Sequence, residues 1–259
     1  MKNFMFQALM IVFMISILAA CGSEGEDTSS SQEQEEKGTL KMATSADFPP
    51  FESYDTEGNF EGFDIEIAQI IAEELGYELE IEDMNFDGLV GALQAERVDM
   101  VMAGMSATED RSKNVDFSTE YHRSGEMLIS KAEAGIDSLE DLEGKIVGVQ
   151  LGTIQEEGAD LLSEEYGFEV KKVDDASILI QELNSNRIDV GYMDKTVATG
   201  YMDSQGFVGF DDPTTSSPGM GVAFPKGSDL VEKVNGILEE LKANGTMDEL
   251  KDKWLSDYE

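Results

Sequence analysis

The chain has 259 residues, of which 55 are aspartate or glutamate and 18 are lysine or arginine, so its formal net charge is −37. A charge this negative argues against binding to nucleic acid and against adhesion to anionic lipid, because both are themselves negatively charged. With one cysteine and one histidine, the sequence favours neither a disulfide framework nor a metal site built from these residues, and no metal or cofactor is expected.

The first 20 residues are predicted to be a signal peptide. Lys2 precedes an apolar run from Phe4 to Leu18, which is short for a membrane span but typical of a secretory signal. The run closes with the lipobox Leu18-Ala19-Ala20-Cys21, so Cys21 is predicted to begin the mature chain and to carry acyl chains. We therefore expect an extracytoplasmic lipoprotein, anchored by these chains to the outer face of the cell membrane of a Gram-positive bacterium.

Residues 21–38 are predicted to form a solvated tether. The segment is rich in serine and glutamate and has no apolar periodicity, a composition typical of flexible linkers. About 220 residues remain beyond it, which is enough for two modest lobes with their own cores.

The next part of the chain alternates between strand and helix patterns. Its predicted elements are a strand at 39–44, a loop at 45–51, a helix at 65–75, a strand at 77–81, a helix at 86–93 and a strand at 98–103. Pro49 and Pro50 prevent regular structure in the loop. Asp64 is predicted to cap the first helix and Gly76 to end it.

The same order of elements recurs further along the chain. The predicted elements are a strand at 145–150, a helix at 153–166, a strand at 169–173, a helix at 176–184 and a strand at 188–193. The repeat is also visible in the residues, because Leu93–Gly104 resembles Leu183–Asp194. This similarity predicts two alike α/β lobes, although helix-turn-strand units of any α/β protein can look alike. Ligands of such sheets bind at the carboxyl ends of strands, here Gly104 and Asp194.

The chain is predicted to return to the first lobe near its end. A strand at 220–224 and helices at 228–243 and 246–255 complete the sequence. The first lobe is therefore assigned to residues 39–128 plus 222–259, and the second lobe to residues 129–221. Two crossings, near 127–131 and 217–222, would make a two-strand hinge.

Two charged residues follow equivalent strands of the two lobes. Arg111 comes seven residues after Gly104, and a guanidinium can hold a carboxylate bidentately. Asp194 ends the equivalent strand and can accept hydrogen bonds from an ammonium group. Together they could hold both ends of an α-amino acid. Each also has an alternative role: Arg111 as a surface ion pair with Glu109 or Asp116, and Asp194 as a helix cap.

Several runs carry a family resemblance. They are Ala43–Glu52, Gly62–Asp64, Gly104–Arg111 with Val115–Ser118, Val147–Thr153 and Ala223–Ser228. Over residues 40–254 the chain resembles the polar amino-acid binding proteins of ABC importers, the bacterial extracellular solute-binding proteins of family 3. The resemblance implies a type II periplasmic-binding-protein fold, a monomer that closes on one amino acid, and a permease and an ATPase as partners.

The resemblance also implies roles for individual residues. Arg111 is expected to bind the carboxylate of the ligand, with the Ser106 hydroxyl and the Gly104 backbone beside it. Asp194 is expected to bind the amine.

Further implied contacts come from both lobes. Phe48 and Phe86 are expected to sandwich the ligand's side chain, although the helical spacing of Phe86 equally fits a core residue. The second lobe would add the Gly152-Thr153 turn with Ile154 beside it.

The identity of the ligand depends on the remaining residues of the mapped pocket. Several relatives carry an acid where this chain has Ser45, with Asp47 two residues on. The pocket also offers Gln150 and Gln155, and Arg111 is its one basic residue, which argues against an acidic ligand.

The run Val149–Glu157 resembles arginine-type members most, so a cationic amino acid, arginine first, is expected. Its guanidinium would stack on Phe48 and Phe86 and bond Asp47 or Gln155. Glutamine, cystine and methionine remain the alternatives.

Two other classes of protein are also considered. A dehydratase or hydrolase on the same scaffold would need a positioned acid or base, and the candidates are Asp47, Asp194 and His122. His122 is expected to be a rim or packing residue. A sensory domain is the other rival, and binding without catalysis is the function we expect.

Overall fold

The computed structural model describes residues 38–258. The predictions of a signal peptide, of a lipidated Cys21 and of a tether up to residue 37 lie outside the described residues. No helix within residues 38–258 has both the length and the apolar character needed to cross a membrane.

Strands and helices alternate along the described chain. The strands are β1 (Thr39–Thr44), β2 (Ser53–Tyr54), β3 (Phe60–Glu61), β4 (Glu78–Asp83), β5 (Met100–Val101), β6 (Val115–Phe117), β7 (Glu126–Lys131), β8 (Ile146–Gln150), β9 (Glu169–Val173), β10 (Val190–Asp194), β11 (Phe207–Asp211) and β12 (Ala223–Pro225). The α-helices are α1 (Phe63–Leu75), α2 (Leu89–Gln94), α3 (Glu109–Ser112), α4 (Ile154–Tyr166), α5 (Ala176–Asn184), α6 (Lys195–Gln205), α7 (Leu230–Asn244) and α8 (Thr246–Trp254).

The first sheet has the strand order β4-β1-β5-β12-β6. Strands β4, β1 and β5 are parallel, whereas β12 pairs antiparallel with both β5 and β6. The second sheet has the order β9-β8-β10-β7-β11, with β9, β8 and β10 parallel and β7 antiparallel to both β10 and β11. The two sheets therefore share one pattern of strand directions, although the antiparallel fourth strand comes last along the chain in the first sheet (β12) and first in the second (β7). The predicted α/β fold of two similar sheets is confirmed.

The sequence repeat forms the same turn in both sheets. Glu96 and Asn186, ninety residues apart, both adopt left-handed backbone conformations, with φ of 52° and 57°. Each follows a short helix end and precedes the third parallel strand of its sheet. The similarity noticed in the sequence is thus a repeated backbone geometry rather than a chance likeness.

The aspartate of each repeat bonds the backbone of a neighbouring parallel strand. Asp99 Oδ2 accepts a hydrogen bond from the Lys41 backbone N–H at 2.8 Å, and Asp189 Oδ2 accepts one from the Ile146 N–H at 2.8 Å. The backbone N–H of each aspartate donates in return to the carbonyl oxygen of the same partner, at 2.8 Å in both cases. These paired bonds set the register at the end of each sheet where the parallel strands begin.

Helix α1 begins differently from the prediction. Gly62 occupies the N-cap position, and Gly76 ends the helix in a left-handed conformation as expected. Asp64 is therefore not the cap: it lies inside the helix, fully buried, and its Oδ2 accepts hydrogen bonds from the Gly104 N–H at 2.8 Å and the Tyr121 hydroxyl at 2.7 Å. This carboxylate ties α1 to the loop after β5.

Several element boundaries also differ from the predictions. The third strand of the first sheet is reduced to Met100–Val101, and a short 3₁₀ turn at Phe86–Gly88 precedes α2. Strand β7 begins at Glu126, before the predicted lobe boundary at 128, and belongs to the second sheet. Strands β2, β3, β6, β7 and β11 were not predicted.

Apolar side chains fill the space around both sheets. One buried cluster runs from Met42 and Ile67 on the first sheet's side to Leu179 and Phe207 on the second. Separate clusters cover the other faces, around Leu93 for the first sheet and around Leu162 for the second. Each sheet is thus covered on both faces, as is typical of parallel α/β sheets.

Candidate ligand-binding site

A cavity lies between the two sheets, where the carboxyl ends of their parallel strands meet. It is narrow, with a cavity volume of about 20 Å³, so its two walls lie close together. We call it the cleft cavity, and its lining residues are Asp47, Phe48, Glu52, Phe86, Ala103, Gly104, Ser106, Arg111, Gln150, Thr153, Ile154, Gln155, Asp194 and Met220.

The cleft cavity gathers eleven of the thirteen residues that the sequence pointed to, and the two outside its lining are Gly152 and Ser45. Ser45 is buried, and its hydroxyl donates to Asp47 Oδ1 at 2.9 Å. Ser45 therefore supports Asp47 instead of facing a ligand. Glu52, Ala103 and Met220 line the cavity without having been predicted to do so.

Arg111 is held with its guanidinium at the cavity wall. Its Nη1 donates to the Ser106 carbonyl oxygen at 2.8 Å, and its Nη2 donates to the Gly152 carbonyl oxygen at 2.9 Å. The guanidinium carbon lies 5.3 Å from the centre of the Phe86 ring, within cation–π range. Burial lowers the pKa of Arg111 to about 10, and nearby Glu157 opposes this effect, so the side chain stays cationic at neutral pH.

Within residues 38–258 Arg111 forms an ion pair with neither Glu109 nor Asp116, and Asp116 pairs with Lys226 at 2.6 Å. Helix α3 presents Arg111 from its first turn, and the Thr108 hydroxyl caps that turn by accepting from the Arg111 backbone N–H. The guanidinium is thus positioned from both its main chain and its side chain.

Asp194 caps a helix and lines the cleft cavity at the same time. Its Oδ1 accepts hydrogen bonds from the Thr196 and Val197 N–H groups at 2.8 and 3.3 Å, and from the Ser124 hydroxyl at 3.0 Å. The helix-cap alternative is therefore correct. Burial raises the pKa of Asp194 to about 6, and the hydrogen bonds from Ser124 and the helix limit the rise.

Glu52 is the acidic residue that sequence reasoning missed. It lines the cleft cavity with none of its surface exposed, and no neighbouring group among the described residues donates a hydrogen bond to its carboxyl oxygens. Its hydrogen-bonding neighbour is the buried carboxyl group of Asp64, to which a protonated Glu52 donates. Burial, and then the negative charge of Asp64, raise the pKa of Glu52 well above its usual range. Its position in the run Ala43–Glu52, directly after the proline loop, was the available signal.

Gly104 lies where a side chain would not fit. Its φ is +54°, and an added Cβ would come 3.0 Å from Phe48 Cε1. Because its N–H donates to Asp64, its carbonyl oxygen is the backbone group that remains for a ligand ammonium. The Phe48 ring also stacks on Phe51, with ring centres 5.9 Å apart and an interplanar angle of 26°.

The second sheet contributes the turn between β8 and α4. The Thr153 hydroxyl caps α4 by accepting from the Glu156 N–H, and it donates to the Gln150 carbonyl oxygen at 2.7 Å. Gly152 approaches the first sheet so closely that an added Cβ would lie 2.8 Å from Asp87 Cα. The two sides of the cavity are therefore in contact at this turn.

The two glutamine side chains of the cavity are engaged by carboxylates. Gln150 Nε2 donates to Asp47 Oδ2 at 2.9 Å, and Gln155 Nε2 donates to Glu126 Oε2. Glu126 lies directly opposite Asp194 in the β7–β10 ladder. Burial, and then the charge of Asp194, raise the pKa of Glu126 to about 8.

His122 does not line the cleft cavity. Its ring packs against Phe51 and Phe63, with ring centres 5.3 and 6.0 Å apart. Burial, and then the charge of Lys251, lower its pKa to about 4, so it is neutral at physiological pH. Within residues 38–258 no group of three histidine, cysteine or carboxylate side chains is arranged to hold a metal ion.

Two sheets of similar architecture lie on either side of a polar cavity. The cavity has a guanidinium on one wall and a carboxylate on the other. These features define a solute-binding protein. Residues 40–257 match the bacterial extracellular solute-binding proteins, family 3, and the chain belongs to that family. The family resemblance seen in the sequence is thus confirmed, and membership places the protein outside the cytoplasm.

Individual relatives are similar over most of their length. The arginine-binding extracellular protein ArtP of Bacillus subtilis (strain 168) is 44% identical over 243 residues, which cover 92% of each chain. The structure of an ancestral arginine-binding protein bound to arginine has a TM-score of 0.81 at 42% identity, covering 85% of this chain and 100% of that one. An ancestral arginine-binding protein bound to glutamine gives a TM-score of 0.79 at 43% identity, covering 84% and 98%.

Proposed function

We propose that this protein binds one cationic amino acid, arginine in the first place, and delivers it to the permease of an ABC importer. The observation that carries the proposal is Glu52, a buried carboxyl group that lines the cleft cavity without a hydrogen-bond donor. The similarity to ArtP and to an ancestral arginine-binding protein holding arginine supports the same choice.

The α-carboxylate and α-amine of the ligand would use Arg111 and Asp194. The guanidinium of Arg111 provides a two-pronged donor, and the partly occupied carboxylate of Asp194 lines the opposite wall. The Gly104 carbonyl oxygen and the Ser106 hydroxyl would complete the contacts to these two groups.

The acids of the cavity determine the preferred side chain. Asp194 is assigned to the amine, and Asp47 already accepts two hydrogen bonds on its Oδ2. Glu52 is left for the ligand's side chain, and burying it as an unpaired charge would cost several kcal/mol. A guanidinium removes that cost by pairing with Glu52, whereas a neutral side chain leaves the acid protonated and gains no ion pair.

The remaining features of the proposal concern movement and location. We assign residues 39–125 plus 222–259 to one lobe and 126–221 to the other, which moves the first predicted boundary from 128 to just before β7, and the lobes close on the ligand. Acyl chains on Cys21 would hold a monomeric protein at the outer face of a Gram-positive cell membrane, beside its permease and ATPase.

Calorimetric titration with arginine, lysine, glutamine, cystine and methionine tests the ligand. We expect arginine to bind most tightly. We expect Glu52→Gln to reduce the affinity for arginine much more than the affinity for glutamine. Glu57→Gln, which changes an exposed acid near the same loop, is the matched control. A preference for an uncharged amino acid, unchanged in Glu52→Gln, would contradict the proposal.

Glutamine is the second candidate, because Gln150 and Gln155 place amide groups in the cavity and a related ancestral protein has been captured with glutamine. The same titration distinguishes the two ligands. We propose no catalytic step. Recovering the bound amino acid unchanged after prolonged incubation tests this against a dehydratase.

A further inference from the structure

Asp47 extends from the first sheet's side of the cleft cavity but is bonded to the second. It lies in the loop after β1, and its Oδ2 accepts hydrogen bonds from Gln150 Nε2 at 2.9 Å and from the Ala176 N–H at 2.5 Å. Gln150 ends β8, and Ala176 begins α5, so both donors belong to the second sheet's side. One carboxylate oxygen therefore joins the two sides of the cavity.

The contact with α5 uses a donor that the helix cannot satisfy itself. The first N–H groups of an α-helix have no partner within the helix. Asp175 caps the next two, accepting from Ser177 and Ile178 at 2.7 and 3.2 Å, which leaves the Ala176 N–H to Asp47. The positive end of the helix dipole adds a favourable interaction with the carboxylate.

This arrangement changes the role that the sequence suggested for Asp47. Its Oδ1 accepts from the Ser45 hydroxyl and its Oδ2 from two donors, so its hydrogen-bonding capacity is largely used by the protein. Asp47 is thus poorly placed to bond a ligand's guanidinium as well. Gln150 and the Ala176 N–H would separate from Asp47 if the two sides of the cavity moved apart.

We propose that Asp47, Gln150 and the N-terminus of α5 form a latch that stabilises the closed arrangement of the lobes, whichever amino acid is bound. The inference rests on the proposed function, because it presumes binding by lobe closure. Asp47 would then be a positioning residue: it sets the fraction of protein in the binding-competent form, and apparent affinity scales with that fraction.

The latch makes a different prediction from a residue that reads the ligand. Because charge-assisted hydrogen bonds are lost, Asp47→Ala should weaken the binding of arginine, lysine and glutamine by one common factor, about tenfold or more. If Asp47 instead contacted the ligand's side chain, the substitution would weaken the binding of arginine selectively. Asp174→Ala removes a neighbouring exposed charge just before α5 and serves as the matched control.

Ala176→Pro tests the other half of the latch without touching Asp47. Proline is favoured at the first position of a helix and lacks the N–H group, so α5 can form while the donor is deleted. If both changes act on one contact, the double variant Asp47→Ala/Ala176→Pro should be little weaker than either single variant. Fully additive effects on affinity would contradict a shared contact.

Distances between the lobes provide a readout that does not depend on the ligand. Spin labels on cysteines introduced at Glu74 and Glu164, with Cys21→Ser, would report the separation in the full mature chain. We expect Asp47→Ala and Ala176→Pro to shift the distances toward an open form, and Asp47→Asn to shift them less. Unchanged distances in both variants, or a loss confined to arginine, would overturn the latch. If no amino acid binds the unaltered protein, the proposed function fails. The spin-label distances would still test whether Asp47 and the N-terminus of α5 stabilise the closed arrangement.

Discussion

Arg111 Nη2 donates a hydrogen bond to the carbonyl oxygen of Gly152 at 2.9 Å, across the cleft cavity. The same guanidinium is held on its own side by the Ser106 carbonyl oxygen. The guanidinium of Arg111 therefore contacts both walls at the place proposed for the ligand's carboxylate. A ligand bound there would contact the sides of both sheets at once.

Replacing Arg111 by lysine should reduce amino-acid binding severely. A lysine retains the charge but loses the planar fork, and we expect a loss of about 2 to 4 kcal/mol, roughly 30- to 1,000-fold in Kd, measured by calorimetry. Arg123→Lys, at an exposed arginine paired with Glu120, should bind normally. Equal affinity of the Arg111 and Arg123 variants would argue against the assigned carboxylate site.

Arginine binding should release a proton from Glu52. Burial raises the pKa of Glu52 well above its usual range and so favours its protonated form, whereas a guanidinium beside it would lower that pKa again. The affinity for arginine should therefore increase as the pH rises toward the pKa of Glu52 in the ligand-free protein. Calorimetry in buffers with different ionisation enthalpies measures the released protons, and we expect Glu52→Gln to abolish the release attributable to this group. Identical proton release in the variant would point to another acid.

Glu126 should make the protein less stable as the pH rises. Burial raises its pKa from 4.5 to about 8, so the folded state binds a proton that the unfolded state has released between these values. Its contribution to the free energy of unfolding is present below pH 4.5, declines by up to about 1.4 kcal/mol per pH unit, and is lost by pH 8.

Glu126→Gln should remove that dependence, because the amide cannot ionise yet can still accept from Gln155. Urea unfolding at pH 5, 6, 7 and 8 measures it, with the exposed Glu133→Gln as control. A constant difference between Glu126→Gln and the unaltered protein over this range would show that Glu126 does not titrate there.

Two glycines should respond oppositely to the same change. Gly236 is exposed in the middle of α7 with nothing within 4 Å of an added Cβ, so Gly236→Ala should stabilise by about 0.5–1 kcal/mol. At Gly148 in β8 the added Cβ would lie 2.5 Å from Leu179 Cδ1, so Gly148→Ala should destabilise by about 1–3 kcal/mol. Thermal unfolding of the two variants side by side checks both, and destabilisation by each would refute the packing argument.

The repeated α/β order was predictable because it depends on local periodicity. The spacing of apolar residues locates α5 at 176–184 and β9 at 169–173, where the structure has them. The antiparallel strands β7 and β11 were missed, since each pairs with a segment far away in sequence and no alternating pattern marks it. The cap of α1 was misassigned for a similar reason: Asp64 is held by Gly104 and Tyr121, which only the folded chain brings near.

The composition of the candidate site was more predictable than the roles within it. Family motifs pointed to eleven residues of the cleft cavity. Glu52 was missed because its burial without a donor depends on how the proline loop folds over the cavity. Asp47 was expected to face a ligand, yet its partners come from the second sheet's side, and contacts between lobes leave no local pattern in either segment.

The paired bonds of Asp99 and Asp189 lie where their parallel strands begin, opposite the end that opens into the cavity. Each aspartate holds two strands of its own sheet together at the end away from the cavity. The strand ends that line the cavity are therefore supported by hydrogen bonds at the other end of the same sheet. In the proposed closure each sheet would move as one rigid unit, so a small rotation at the proposed crossings would produce a large displacement at the cavity without disturbing the strand pairing inside either sheet.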